Sequence, residues 1–335
     1  MTIAVWLFSS SVYSQIKIVD SISGQPLPSA TIFLKGGKYV TTSNINGIID
    51  NSIFDNLVNE NDTITIQHIG YSSKNISLAE LKKSTQIKLN SAENKLSDVV
   101  VISDKKYDYL VLKGYFRTFQ AYDSLPKYFA DGIVEYYIPV NGGSIKLRVI
   151  AYRVFGNKPL VEKLNQKTVV RYVNPARTPL LGRNTIQQGL SNDYTLHKTN
   201  TGFDIIKSDS TVGTIRFDSK NHIAKMYLDN VAPNKEIERE FLGFVIKTKK
   251  YELLENYQFN DSAHIGIKDL LNSSLRYNSI YFHKGKKKDD VHEAELIIDF
   301  YVMSNKYITK NDYKKVKKEM QSIYLKDSHH YDSEY

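Results

Sequence analysis

The chain has 335 residues, more than one hydrophobic core usually serves, which favours two domains. It has no cysteine, so disulfides, thiolate metal sites and thiol nucleophiles are excluded. The net charge is +9, yet residues 16–103 hold eight lysines, no arginine and eight acidic residues, so the whole excess lies in the C-terminal part.

The first fourteen residues predict export. Their side chains carry no charge, and an apolar run from Ile3 to Phe8 precedes small residues and a cleavage position after Ser14. This pattern is typical of a secretory signal peptide whose basic start lies upstream of the first residue; a buried N-terminal strand is the alternative. No later stretch approaches the ~18 apolar residues of a membrane helix, so we expect no transmembrane segment in the mature chain.

Residues 15–103 consist of short alternating runs separated by turn signals. Strand patterns over 16–19, 30–34 and 63–69 alternate with turns at residues 23–26 and at Asn44–Gly47, where Asn-Gly supplies positive φ angles. The chain also has 24 tyrosines, a residue type that favours strands. Strands of this length and spacing predict a β-sandwich.

The order of these motifs carries a family resemblance. The stretches from Gly24 to Thr31, Asn44 to Gly47, Ile69 to Tyr71 and Leu96 to Val101 together resemble the carboxypeptidase-regulatory-like domain. That resemblance implies a transthyretin-like sandwich with an accessory, non-catalytic role, of the kind found in envelope proteins of Gram-negative bacteria. It implies structural roles for Gly24, Pro26, Leu27, Ala30, Asn46, Gly47, Ile69, Gly70 and Tyr71.

Residues 104–335 predict a second, larger β domain. Strand patterns occur over 107–122, 132–138, 144–155, 202–206, 212–217, 223–228, 241–251, 275–282 and 294–303. In the third of these, Ile145, Leu147, Val149 and Ala151 are predicted to share the buried face. Residues 156–200 lack this periodicity and form a long excursion.

The C-terminal stretch changes its period. Tyr313, Val316, Met320, Ile323 and Tyr324 form one helical stripe, with Thr309 as N-cap, which predicts a helix over residues 310–326. The predicted fold class is therefore mainly β, with an N-terminal sandwich and a larger curved antiparallel sheet that ends in a helix. The curved sheet resembles half-barrel periplasmic lipid or lipoprotein carriers in architecture alone.

One basic run is a candidate for contact with anions. Lys284, Lys286, Lys287 and Lys288 lie at a predicted hairpin tip, which is either a solvated loop or a contact for anionic lipid headgroups or polysaccharide. Nucleic acid is not expected, because no aromatic-basic recognition motif occurs.

Motifs for chemistry are missing from the sequence. It contains no phosphate-binding glycine loop and no G-x-S-x-G nucleophile elbow. His292 and Glu295 have the spacing of a metal-ligand pair, but on a strand they would point to opposite faces, so we interpret Glu295 and Asp299 as outward strand-edge charges. His68 is interpreted as a half-buried structural residue. No catalytic, cofactor or metal site is predicted.

These observations favour a non-enzymatic exported protein of the periplasm or outer membrane, which binds or docks an envelope protein, lipid or polysaccharide. A lipid or lipoprotein carrier that uses the curved sheet is one alternative. A hydrolase whose carboxylates converge only in the fold is another.

Overall fold

A computed structural model describes residues 15–325 except 23, 28–29, 35–37, 45, 56, 58–61, 70, 92–106, 166–175, 182–193, 230, 232–236, 242, 260–264 and 285–290. The chain divides into two compact units, residues 1–91 and 92–335. The predicted signal peptide and the predicted domain boundary at residues 103–104 lie outside the described residues. Within the described ranges, no helix has the length and apolar character needed to cross a membrane.

The N-terminal unit is a sandwich of two small sheets. Its strands are β1 (Gln15–Asp20), β2 (Thr31–Leu34), β3 (Tyr39–Thr42), β4 (Ile48–Asp50), β5 (Thr63–Gln67), β6 (Lys74–Ser77) and β7 (Gln86–Leu89), with helix α1 (Leu78–Lys83) between the last two. The sheet orders are β4-β1-β7 and β3-β2-β5-β6. Alternate residues of both sheets, among them Ile18, Ile32 and Ile66, are buried in one shared core. The predicted sandwich is confirmed.

The C-terminal unit is built on one large sheet. Its strands are β8 (Tyr109–Tyr122), β9 (Leu125–Pro139), β10 (Lys146–Gly156), β11 (Thr195–Thr199), β12 (Gly202–Lys207), β13 (Ser210–Asp218), β14 (Ile223–Asp229), β15 (Ile237–Phe241), β16 (Phe244–Gln258), β17 (Leu270–His283) and β18 (His292–Ile308). The order is β10-β9-β8-β18-β17-β16-β14-β13-β12-β11, all antiparallel, and β15 pairs with the first part of β16. The mainly β fold class is confirmed.

Cross-strand partners share a face, so the register divides the side chains of this sheet into two sets. We call the side of Phe300 the apolar face. It packs against residues 176–181 and Leu325, and helix α2 (Lys158–Asn165) covers Tyr122 and Tyr281 on the same face. We call the side of Asp299 the polar face. Residues of the predicted excursion therefore cover part of the apolar face.

The structure corrects the strand-edge interpretation of Glu295 and Asp299. Strand β18 pairs with β8 on one side and β17 on the other, so it is central and not an edge. The two carboxylates do point away from Leu296 and Ile298, as predicted, but they are only 7% and 1% exposed. The predicted alternation is confirmed, but the burial of these two carboxylates was not predicted. It arises because arginine and asparagine side chains from the neighbouring strands contact them.

A bulge changes the predicted face of β10. Val149 pairs with Val134 and Ala151 pairs with Ile133, so Ile150 is an extra residue in β10. Beyond the bulge the alternation shifts by one residue. Val154 is buried and Ala151 is exposed, contrary to the prediction for Ala151.

The C-terminal helix is shorter than predicted. Helix α3 spans Lys310–Val316, starts at the predicted N-cap Thr309 and passes into a 3₁₀ turn over Lys317–Glu319. Tyr313 packs with Val111 and Tyr137 on the polar face. The following residues are extended: the Gln321 N–H donates to the Leu147 carbonyl on β10 (3.0 Å), and Leu325 reaches the apolar core. The helix ends because the chain passes over the edge strand.

Candidate functional site

The polar face holds its charges in cross-strand ion pairs. Asp299 accepts hydrogen bonds from Arg117 Nε at 2.8 Å and Arg276 Nη1 at 2.8 Å, and from Ser274 Oγ at 2.5 Å. Burial would raise the pKa of Asp299, but the guanidinium groups of Arg276 and Arg117 hold it well below its usual range. An acid that is held ionised in this way links neighbouring strands through its ion pairs and is a poor proton donor.

Further pairs continue along the same face. Arg153 Nε donates to Asp131 at 2.8 Å, and Arg148 Nη2 donates to Glu135 at 2.8 Å. Glu295 accepts from the side-chain amide of Asn278. These carboxylates are occupied by neighbours on adjacent strands, so they contribute mainly to strand pairing.

The H-x-x-E pair does not converge, as predicted. His292 Nδ1 lies 2.8 Å from Asp123 Oδ2, and its ring packs on Tyr122 on the apolar face, while Glu295 lies on the polar face. In the described ranges no three His, Cys, Asp or Glu side chains group in a way that could hold a metal ion.

Two carboxyl groups have strongly raised pKa values, and they also lie apart. Burial raises the pKa of Glu255 to about 7, although Tyr257 and Ser273 donate to it. Burial likewise raises the pKa of Asp229 to about 6. Glu255 pairs across the strands with Met226 on the apolar face, whereas Asp229 pairs with Glu252 on the polar face. The two acids cannot work together across the sheet.

Arg177 is the most unusual polar residue of the apolar face, and its backbone is firmly held. It pairs with Tyr324 in a short antiparallel bridge. On either side, Thr178 N–H donates to Ile323 at 2.8 Å and Leu325 N–H donates to Ala176 at 2.9 Å. The Arg177 carbonyl accepts from Thr118 Oγ1 on β8 at 2.7 Å. The backbone at Arg177 is therefore held by both covering segments and by the sheet.

The Arg177 side chain is largely buried, and no carboxylate among the described residues forms an ion pair with it. Its Nε is buried and has no hydrogen-bond acceptor among the described residues. Burial lowers the pKa of Arg177 below its ordinary value, and the phenols of Tyr251, Tyr324, Tyr277 and Tyr281 oppose that shift. The groups that oppose the shift most strongly are thus phenols, and no carboxylate stands among them.

Three of these tyrosines are positioned by the sheet. Tyr251 on β16 is the direct cross-strand partner of Tyr277 on β17, and their rings meet edge to face at 5.9 Å. Tyr281, four residues after Tyr277, lies on the same face and stacks on Phe244 at 6.1 Å. Tyr324 is 55% exposed. We call Arg177 with Tyr251, Tyr277, Tyr281 and Tyr324 the Arg177 cluster.

Of the predicted anion-contact loop, only Lys284 is described. Its Nζ lies 2.5 Å from Glu240 Oε2, so its charge is already engaged with a carboxylate. Lys286, Lys287 and Lys288 lie outside the described residues.

Most of the residues assigned to the sandwich motif hold its turns and its core. Gly47 has φ +71°, and an added Cβ would lie 2.5 Å from the Ile18 carbonyl oxygen. Gly24 has φ +68°, Pro26 bridges to Val19, and Leu27, Ala30 and Ile69 are buried. Asn46 N–H donates to the Asn44 side chain at 2.9 Å, which supports the same turn. Gly70 lies outside the described residues.

The histidine beside this motif is structural. His68 is 6% exposed, its Nδ1 lies 2.7 Å from the Ile69 carbonyl oxygen, and its ring packs edge to face on Tyr71. Tyr71 in turn donates its hydroxyl to Asp20 at 2.7 Å. These contacts are those expected of a structural residue, although His68 is buried and not half-buried as predicted.

Comparison with known families agrees with this geometry. Residues 17–101 match the family model of the CarboxypepD_reg-like domain. The N-terminal sandwich is a carboxypeptidase-regulatory-like domain. A search of curated proteins found no match. The family assignment covers the carboxypeptidase-regulatory-like domain alone, so the large sheet has to be interpreted from its own residues.

Sequence reasoning missed the Arg177 cluster. Arg177 lies in the stretch without periodicity, and its tyrosine neighbours come from β16, β17 and the C-terminal segment. The only local signal was the spacing of Tyr277 and Tyr281, which places both rings on one face of a strand. The register that adds Tyr251 is a long-range property.

Proposed function

We propose that this is a non-enzymatic exported protein of the cell envelope, in which the carboxypeptidase-regulatory-like domain serves as a docking or spacer module and the large sheet binds a partner. The observation that carries the proposal is the Arg177 cluster. A guanidinium group that is largely buried without an anion is costly, so such an arrangement is typical of a binding group whose counterpart comes from outside the chain. The signal peptide predicted from the first fourteen residues supports the location.

The location is tested by fractionating cells that make the full chain with a C-terminal tag. We expect the tagged protein in the periplasmic or outer-membrane fraction, and we expect chemical crosslinking to capture the same envelope component in repeated preparations. The variant Arg177→Gln should lose that component, while Arg153→Gln, which changes an exposed arginine on the polar face, should keep it. Recovery from the cytoplasm alone would refute the proposal.

A lipid or lipoprotein carrier is the second candidate. The apolar face is the surface that such a carrier would use, because it holds the largest hydrophobic core. Covering segments already pack there, however: Ala176, Leu181, Leu325 and α2 contact parts of this face with the chain's own side chains. Organic extraction and mass spectrometry of the purified protein test this candidate, and a stoichiometric lipid would favour it over docking.

A hydrolase has the least support. The two carboxyl groups with raised pKa values, Glu255 and Asp229, lie on opposite faces. Of the buried acids on the polar face, Asp299 accepts hydrogen bonds from two arginines, Glu295 from an asparagine and Glu252 from Tyr227. Turnover of ester, peptide or glycoside substrates that is lost in Glu255→Gln or Asp229→Asn would revive this candidate.

A further inference from the structure

The Arg177 cluster has a chemical preference that goes beyond docking in general. A guanidinium group offers five N–H donors in a rigid fork and no acceptor, and it stays charged at any physiological pH. Tyrosine hydroxyls can donate to the same anion. The side chain at residue 177 therefore needs an acceptor that is negatively charged and carries at least two oxygens.

We propose that the Arg177 cluster binds an anionic oxygen group, a carboxylate or a phosphate, of the protein's partner. This inference rests on the proposed function, because it identifies the group that the large sheet recognises. The bridge to Tyr324 and the hydrogen bond from Thr118 hold the backbone of Arg177 in place before binding, so little backbone ordering is needed when the anion arrives.

The surroundings favour a small anionic group at the end of a larger partner. Tyr324 is 55% exposed and so is the solvent-facing member of the cluster, whereas Tyr281 is 4% exposed and its hydroxyl accepts a hydrogen bond from Ser279 Oγ. An anion that enters past Tyr324 would replace its hydrogen bonds to water with hydrogen bonds to the Arg177 guanidinium group and the tyrosine hydroxyls. The remainder of the partner would stay outside the sheet.

Two sources can supply this chemistry in an envelope: the carboxylate of a peptide and the phosphate of a lipid headgroup. N-acetylalanine represents the first and glycerol 3-phosphate the second. The amide of N-acetylalanine and glycerol are their uncharged counterparts. The two anions are titrated separately into the full chain labelled with ¹⁵N-arginine, with the Nε–H resonances observed by NMR.

We expect the buried Arg177 Nε–H to give a resonance that shifts saturably with at least one anion, with a dissociation constant on the order of 1 mM because the contacts are few. Tighter binding of N-acetylalanine would identify a peptide carboxylate, and tighter binding of glycerol 3-phosphate a headgroup. The uncharged compounds should leave the resonance unchanged.

Matched variants locate the effect. Arg177→Lys should weaken binding at least about tenfold, because an ammonium group lacks the planar fork. Arg153→Lys on the polar face should bind as the wild type does. Tyr277→Phe should weaken binding by about threefold or more, since it removes one hydroxyl donor. Circular dichroism confirms that each variant is folded.

Three results would overturn the inference. The first is an Arg177 resonance that does not saturate with either anion or shifts equally with the uncharged compounds. The second is wild-type affinity in Arg177→Lys. The third is a shift of the same resonance between pH 6 and pH 3 without added anion, which would show that a carboxylate of the chain itself occupies the cluster. None of these depends on where the protein is located in the cell.

Discussion

The two faces of the large sheet hold their polar groups by different means. On the polar face, Asp299 lies against two arginines, and Asp131 and Glu135 each lie against one. On the apolar face, Glu255 receives only hydroxyl donors among the described residues, and Arg177 has no described acceptor at Nε. Asp299 and Glu255 are each 1% exposed, so pairing, and not burial, separates a structural charge from a group that can respond to pH.

The largest expected effect comes from breaking a pair on the polar face. Asp299→Asn should lower the free energy of unfolding by about 3–5 kcal/mol, because Arg117 and Arg276 would both lose the buried carboxylate to which they donate. Urea denaturation measures this change. Glu319→Gln, which removes the exposed partner of Arg148, should cost less than about 1 kcal/mol. If both variants lose a similar, small amount of unfolding free energy, the ion pairs of this face do not stabilise the sheet.

The apolar face should show a pH dependence of its own. The pKa of Glu255 is raised from 4.5 to about 7 in the folded protein, so the folded state favours the protonated carboxyl. The contribution of this group to stability is therefore complete below pH 4.5 and is lost as the pH rises towards 7. The loss amounts to about 3 kcal/mol. Glu255→Gln should therefore lose less stability than the wild type between pH 5 and pH 7.5. Parallel stability curves for the two proteins would mean that Glu255 is ionised without penalty.

The exposed arginine of a polar-face ion pair should contribute less to the free energy of unfolding. Arg153 is 62% exposed and pairs with Asp131, so water can replace much of its interaction. Arg153→Gln should cost about 1 kcal/mol or less. Chemical denaturation at low and high salt checks this value, and the difference should shrink further in high salt. A loss of unfolding free energy above about 2 kcal/mol would contradict this expectation and would show that the Arg153–Asp131 pair stabilises the fold as strongly as a buried pair does.

The smallest expected effect is at Arg177. Arg177→Met should change the free energy of unfolding by less than about 1 kcal/mol, in either direction, because it removes a buried charge that has no described counter-ion and retains apolar bulk. Thermal and urea unfolding of the full chain test this expectation. A loss of more than about 2 kcal/mol would show that the folded chain already pairs Arg177, and the contrast between the faces would fail.

Local chemistry made the N-terminal domain predictable. Its core strands alternate in sequence, and the Asn-Gly turn requires the positive φ that Gly47 adopts. The motif order could therefore be read along the chain without knowing which strands pair.

The large sheet was predictable only in part. Alternation located most of its strands, but the pairing of β18 with β8 joins residues far apart in sequence, and that pairing buries Asp299. The bulge at Ile150 and the end of α3 at Val316 follow from tertiary contacts of the edge strand β10. For the same reason, no local pattern could assemble the Arg177 cluster.

The central place of β18 has a consequence for how the large domain folds. As a ribosome releases the chain in order, strands β8–β10 can form one antiparallel unit and β11–β17 another, but the strand that joins them comes last. Joining them closes a loop of about 180 residues between Arg117 and Asp299, and such closure is slow. Until then both units expose an unpaired edge at β8 and β17, which makes the unfinished chain prone to aggregate or to need a chaperone.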